Sequence, residues 1–85
     1  MRILVHPRFN KKFRKLETAL QDKAEERESI FIVDPFDTRL ETHKLHGKEK
    51  QYWAYSINNK YRIKFSFLEN GDVLYLDIGT HDEVY

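Results

Sequence analysis

The chain contains no cysteine among its 85 residues, so disulfides and cysteine-ligated metals are excluded, which is compatible with a reducing compartment. It has little glycine and proline, three and two residues respectively, and Gly47, Gly71 and Gly79 are isolated, so no glycine-rich phosphate cradle exists. No internal repeat or low-complexity segment is present. No apolar run approaches the roughly 20 residues of a membrane span, and the apolar stretch at Met1–His6 is too short for a signal peptide. A cytoplasmic location is the expectation. Net charge is only +1, which by itself names no polyanionic partner.

What is present suits an ordinary globular domain: 40% hydrophobic and 34% charged residues, in a length that calls for one domain spanning 1–85. The charge is unevenly placed. Between Arg39 and Lys64 stand Arg39, Lys44, Lys48, Lys50, Lys60, Arg62 and Lys64 against Glu41 and Glu49, whereas no lysine or arginine follows Phe65.

In chain order, Arg2 to His6 alternates and reads as a short strand bounded by Pro7. Phe9, Phe13, Leu16 and Leu20 then form a helical stripe from Arg8 onward, and Gln21 to Val33 reads as a second helix that stops at Asp34-Pro35. Pro35 to Gln51 has no period and reads as a connecting loop.

From Tyr52 onward, three β-branched and aromatic runs are separated by Asn58-Asn59 and Asn70-Gly71, the pattern of a three-stranded antiparallel meander. Two-residue turns at both places would set Tyr55 opposite Arg62, Trp53 opposite Lys64, Phe65 opposite Leu76 and Ile63 opposite Ile78. Tyr61, Ile63, Phe65, Phe67, Leu74, Leu76 and Ile78 then make a core face for the two helices to cover. Trp53, Tyr55, Arg62, Lys64, Ser66, Tyr75 and Asp77 make an outer aromatic and cationic face, with Arg62 beside Gly79 and His81 at its rim. The fold class that follows is α+β, an N-terminal strand and two helices on one face of a three- to four-stranded, mainly antiparallel sheet.

The groups able to carry chemistry are His43, His46, Arg62, Lys64, His81 and Tyr85. Histidine exchanges protons near neutral pH, and a cation holds a phosphate whose charge builds during transfer, so two histidines and a cation suffice for RNA cleavage. His43 and His46 lie three apart but lack further ligands, and neither a metal nor a cofactor is expected. Trp53 and Tyr55 are suited either to packing or to stacking on bases.

The segments Leu-Glu-Thr-His-Lys-Leu-His-Gly, Tyr-Trp-Ala-Tyr-Ser-Ile-Asn-Asn-Lys-Tyr-Arg-Ile-Lys-Phe and Leu-Asp-Ile-Gly-Thr-His-Asp-Glu-Val-Tyr, which begin at Leu40, Tyr52 and Leu76, together resemble the RelE/ParE superfamily of toxins, particularly its YafQ-like branch. The resemblance covers the whole chain and implies the order β-α-α-β-β-β. It implies a type II toxin paired with a neutralising antitoxin, and an endoribonuclease that cuts messenger RNA on the ribosome. His43, Arg62, His81 and Tyr85 would be the catalytic group, with Lys44, His46, Trp53, Tyr55, Lys60 and Lys64 available to contact RNA. The same superfamily holds inhibitors of DNA gyrase, which is the alternative expectation, together with a catalytically degenerate relative that only binds its antitoxin.

Overall fold

The computed structural model describes residues 1–85, in the order β1 (Ile3–Val5), α1 (Pro7–Arg14), α2 (Thr18–Val33), β2 (His43–Lys44), β3 (Trp53–Ser56), β4 (Tyr61–Phe67), β5 (Val73–Thr80) and α3 (His81–Val84). The strands form one five-stranded sheet in the order β1-β5-β4-β3-β2, with β1 parallel to β5 and every other pair antiparallel. No helix is long and apolar enough to cross a membrane.

Local chemistry explains the helices. Pro7 occupies the first turn of α1, and His6 caps it by accepting from the Arg8 amide at 3.0 Å through Nδ1. The stripe that suggested one helix through Leu20 is divided instead. The amides of Lys15 and Leu16 bond back three residues, to the carbonyls of Lys12 and Phe13, and Glu17 is extended before α2 begins. Gln21 Nε2 closes the break by donating to the Phe13 carbonyl at 2.8 Å. The second helix ends at Asp34 as expected from Pro35.

Residues 35–51 are more ordered than a plain connection. A 3₁₀ turn over Thr38–Leu40 drives Leu40 into the core, where it is fully buried, and a second covers Gly47–Glu49. Between them β2 adds the fifth strand, with His43 opposite Ala54 and Lys44 opposite Trp53. Two residues are too short for a period to register in the sequence.

Both hairpins depart from the two-residue turns. In the first, Asn58 Oδ1 accepts from the amides of Lys60 at 2.9 Å and Tyr61 at 2.7 Å, which draws Lys60 into the turn. The register becomes Tyr55 opposite Ile63 and Trp53 opposite Phe65, and because side chains alternate with period two, this slip turns both aromatics from the outer face to the core face. In the second, the Leu68 amide bonds the Asp72 carbonyl at 2.8 Å and Gly71 takes a positive φ of 87°, so Phe65 meets Tyr75 rather than Leu76. A bulge that leaves Leu76 unpaired then restores the expected partners, Lys64 with Asp77, Ile63 with Ile78 and Arg62 with Gly79. Tyr75 thus joins the core, while Leu74 and Leu76 are only half-buried.

The bulge also redirects its charges. Asp77 is buried and accepts from Lys12 Nζ at 2.7 Å and from the Ile78 amide at 2.9 Å, while Lys64 turns to Glu49 at 3.2 Å.

Phe31 of α2 is the centre of the core, its ring stacked on Tyr55 at 4.6 Å and edge-on to Phe65 at 4.9 Å. The Tyr55 and Tyr75 hydroxyls satisfy one another at 2.8 Å, and burial pushes both phenols above their ordinary range. Half-buried Glu28 lies against Tyr75, and desolvation raises its carboxyl, with the Tyr75 hydrogen bond offsetting part of the rise. A carboxyl raised on folding holds its proton more tightly in the native state. Its contribution is therefore full below the unfolded value and is lost as pH climbs through the folded one. Glu28→Gln should accordingly stabilise the protein at pH 7 and lose that advantage near pH 4, as urea unfolding at the two pH values will show.

Candidate functional site

The β4–β5 pairing carries the chain into α3, whose start is fixed by a capping box: Thr80 N–H donates to Glu83 Oε1 at 2.7 Å and the Thr80 side chain accepts from the Glu83 amide. The Thr80 amide holds the Glu83 carboxyl below its usual range. Val84, almost wholly buried, pins the turn to the sheet. This single turn aims His81 and Tyr85 at β2, with their rings 4.1 Å apart.

A β-carbon at Gly79 would lie 2.9 Å from Glu83 Oε1 and 3.1 Å from its Cβ, so only glycine leaves room for the capping box. Gly79→Ala should therefore loosen α3 selectively. The expected result is faster amide exchange at Val84 and Tyr85 with the exchange of β4 unchanged.

His43 arrives from the opposite side on β2. The Tyr85 hydroxyl lies 2.6 Å from His43 Nε2, across 42 residues of sequence, and the rings stand edge to face at 5.7 Å. His43, Leu45, His46, Glu49, His81 and Tyr85 line one cleft of about 380 Å³. Buried Leu45 forms its floor. Burial raises the Tyr85 phenol, while the charge and hydrogen bond of Arg62 oppose the rise.

Arg62 enters from β4, flanked by Ser56 on one side and Gly79 on the other. Its Nη1 donates to Ser56 Oγ at 2.7 Å, but its Nε is buried without any protein partner. Arg62 does not line the cleft itself; its charge reaches the cleft through Tyr85. His81 is the open member of the group: its side chain is 61% exposed, with only the Asp82 carboxylate at 3.4 Å.

The other residues singled out from sequence are distributed differently. His46 lines the cleft, and Lys44 is exposed on β2 beside His43. Lys60 is exposed in the first hairpin turn. Lys64 is buried, tied to Glu49 and set over the Tyr52 ring at 5.3 Å. Tyr55 is fully enclosed and cannot stack on a base, and Trp53 packs on Phe36 and Phe67 at 5.5 and 5.6 Å. Glu49 is the cleft residue that sequence reasoning missed. It follows His46 by three, and in a 3₁₀ turn that spacing stacks side chains on one side, which places its carboxylate in the cleft. No cluster of three or more histidine or acidic side chains is arranged to hold a metal ion.

No protein-family model matches the sequence, and no curated protein matches it. Solved structures do. YafQ from E. coli strain BL21(DE3) superimposes with a TM-score of 0.80 at 16% identity, over 100% of this chain and 99% of that one. A YoeB/ParE toxin from Agrobacterium tumefaciens gives 0.80 at 13% identity, covering 95% and 99%. RelE in the archaeal RelE-RelB complex from Pyrococcus horikoshii OT3 gives 0.75 at 18% identity, covering 93% and 92%. At such low identity the agreement is one of architecture, and it runs nearly end to end: this chain has the fold of the YafQ, YoeB/ParE and RelE toxins.

Proposed function

We propose that this chain is the toxin of a type II toxin–antitoxin pair and that it cuts messenger RNA on the ribosome. The observation that carries this reading is the convergence of His43, His81 and Tyr85 at one cleft, drawn from β2 and the C-terminal turn, with the charge of Arg62 on β4 acting on the Tyr85 phenol. Two imidazoles supply the proton acceptor and donor that cleavage by a 2′-hydroxyl requires, and Arg62 supplies charge where the phosphate becomes more negative. Exposed His81 is suited to protonate the leaving oxygen. His46 lines the cleft and exposed Lys44 follows His43 on β2, so both are available to an RNA strand. Trp53, Tyr55 and Lys64 have no part in this reading, since core packing or an ion pair occupies them.

The neighbours support an antitoxin partner as well: the YafQ of E. coli also occurs in a DinJ-YafQ toxin-antitoxin complex. The ribosome as site of action would make the protein cytoplasmic.

The test is cell-free translation with the purified chain, followed by mapping of messenger-RNA ends. Ribosome-dependent cuts are expected. Normal translation with intact messenger would overturn the reading and direct attention to DNA gyrase instead.

A further inference from the structure

The surroundings of His43 constrain how it can work. Its Nδ1 lies 3.0 Å from the Glu41 carbonyl oxygen, which can only accept, so Nδ1 carries the ring hydrogen. Glu41 adopts a left-handed φ of 51°, an uncommon conformation for a residue with a side chain, at the turn that presents this carbonyl. With the hydrogen on Nδ1, Nε2 is the bare nitrogen, and it accepts from the Tyr85 hydroxyl at 2.6 Å. Both ring nitrogens are therefore occupied, and neither faces the cleft free. The Tyr85 oxygen is not exhausted: after donating to His43 it retains lone pairs, and the positive charge of Arg62 favours its anionic form.

We infer that Tyr85 and His43 form a proton relay in which the Tyr85 hydroxyl, rather than the His43 imidazole, meets the proton of the substrate's attacking hydroxyl. This deepens the nuclease reading and rests on it. As the 2′-oxygen forms its bond to phosphorus, its proton passes to Tyr85 Oη while the phenolic proton passes to His43 Nε2. The bond from phosphorus to the 5′-oxygen breaks, and that oxygen takes a proton from the imidazolium of His81. Tyr85 ends neutral, His43 has gained one proton and His81 has lost one, so the products are a cyclic phosphate and a free 5′-hydroxyl. Tyr85 is then a catalytic residue, His43 the terminal acceptor behind it, and the Glu41 carbonyl the group that sets the tautomer.

Single-turnover cleavage of ribosome-bound messenger RNA across pH tests the relay, using the parent, Tyr85→Phe, His43→Ala and the double variant. Phenylalanine keeps the ring that packs edge-on against His81, so the fold is retained. All three variants are expected to lose a similar factor of about 10²-fold or more, without compounding in the double. The rising limb of the parent's pH profile should disappear from Tyr85→Phe. A Tyr85→Phe protein that keeps the limb, or losses that multiply in the double variant, would overturn the relay while leaving the nuclease reading intact. Absence of cleavage by the parent would instead overturn both. Nitrogen-15 spectra of the free protein supply a readout independent of turnover: the hydrogen of neutral His43 is expected on Nδ1, and finding it on Nε2 would refute the relay.

Discussion

His81→Ala should reduce ribosome-dependent cleavage by about 10²- to 10⁴-fold, the range expected when a positioned proton donor is lost. The chain should remain folded, because the side chain is 61% exposed and neither the capping box of Thr80 and Glu83 nor the anchor at Val84 depends on the imidazole. One effect does reach its neighbour, since Tyr85 loses the ring it meets edge-on at 4.1 Å. His81→Gln separates the two contributions: it keeps a planar polar side chain in place but cannot donate as an imidazolium. A loss of similar size in both variants assigns the effect to proton transfer, whereas activity restored by glutamine would show that His81 only supports Tyr85. Circular dichroism of each variant, with cleavage measured by primer extension, checks the result.

The largest effect on stability is expected at Phe31. Its replacement by alanine should cost about 3–5 kcal/mol, the range for deleting a buried aromatic ring. The site cannot readily collapse, because Phe31 is fully buried and meets Tyr55, Phe65 and Tyr75 at 4.6, 4.9 and 6.2 Å, from three different strands. The two tyrosines bordering the gap are hydrogen-bonded to each other and cannot swing inward without leaving a buried hydroxyl unsatisfied. Against a total stability of about 5–15 kcal/mol for a small domain, such a loss leaves much of the chain unfolded at 37 °C or close to it. Guanidinium denaturation will measure it, and a cost below about 1 kcal/mol would mean that Phe31 does not organise the core.

The contrast between Arg62 and Tyr55 shows what was legible in the sequence. Arg62 opposite Gly79 followed from counting outward from Asn70-Gly71, and it holds, although only because a bulge at Leu76 corrects a slip made nearer the turn. Tyr55 failed on the same arithmetic. Nothing in Asn58-Asn59 distinguishes a turn of two residues from one in which Asn58 captures two successive amides, and that single residue decides which face every side chain of β3 occupies. The helix break at Leu16 was hidden because its apolar spacing fits an uninterrupted helix equally well. His43, His81 and Tyr85 were identifiable as chemical groups, but their meeting depends on β2, whose two residues carry no periodicity.

That brevity has a thermodynamic consequence. Arg62 sits in an interior strand paired along both edges, whereas the strand bearing His43 is held by two residue pairs at the sheet margin. The free energy needed to detach it is a small part of what global unfolding requires. The cleft thus has its own melting equilibrium, in which Arg62 stays fixed while the imidazole of His43 departs, and heat or denaturant should open the cleft well before it disturbs the core.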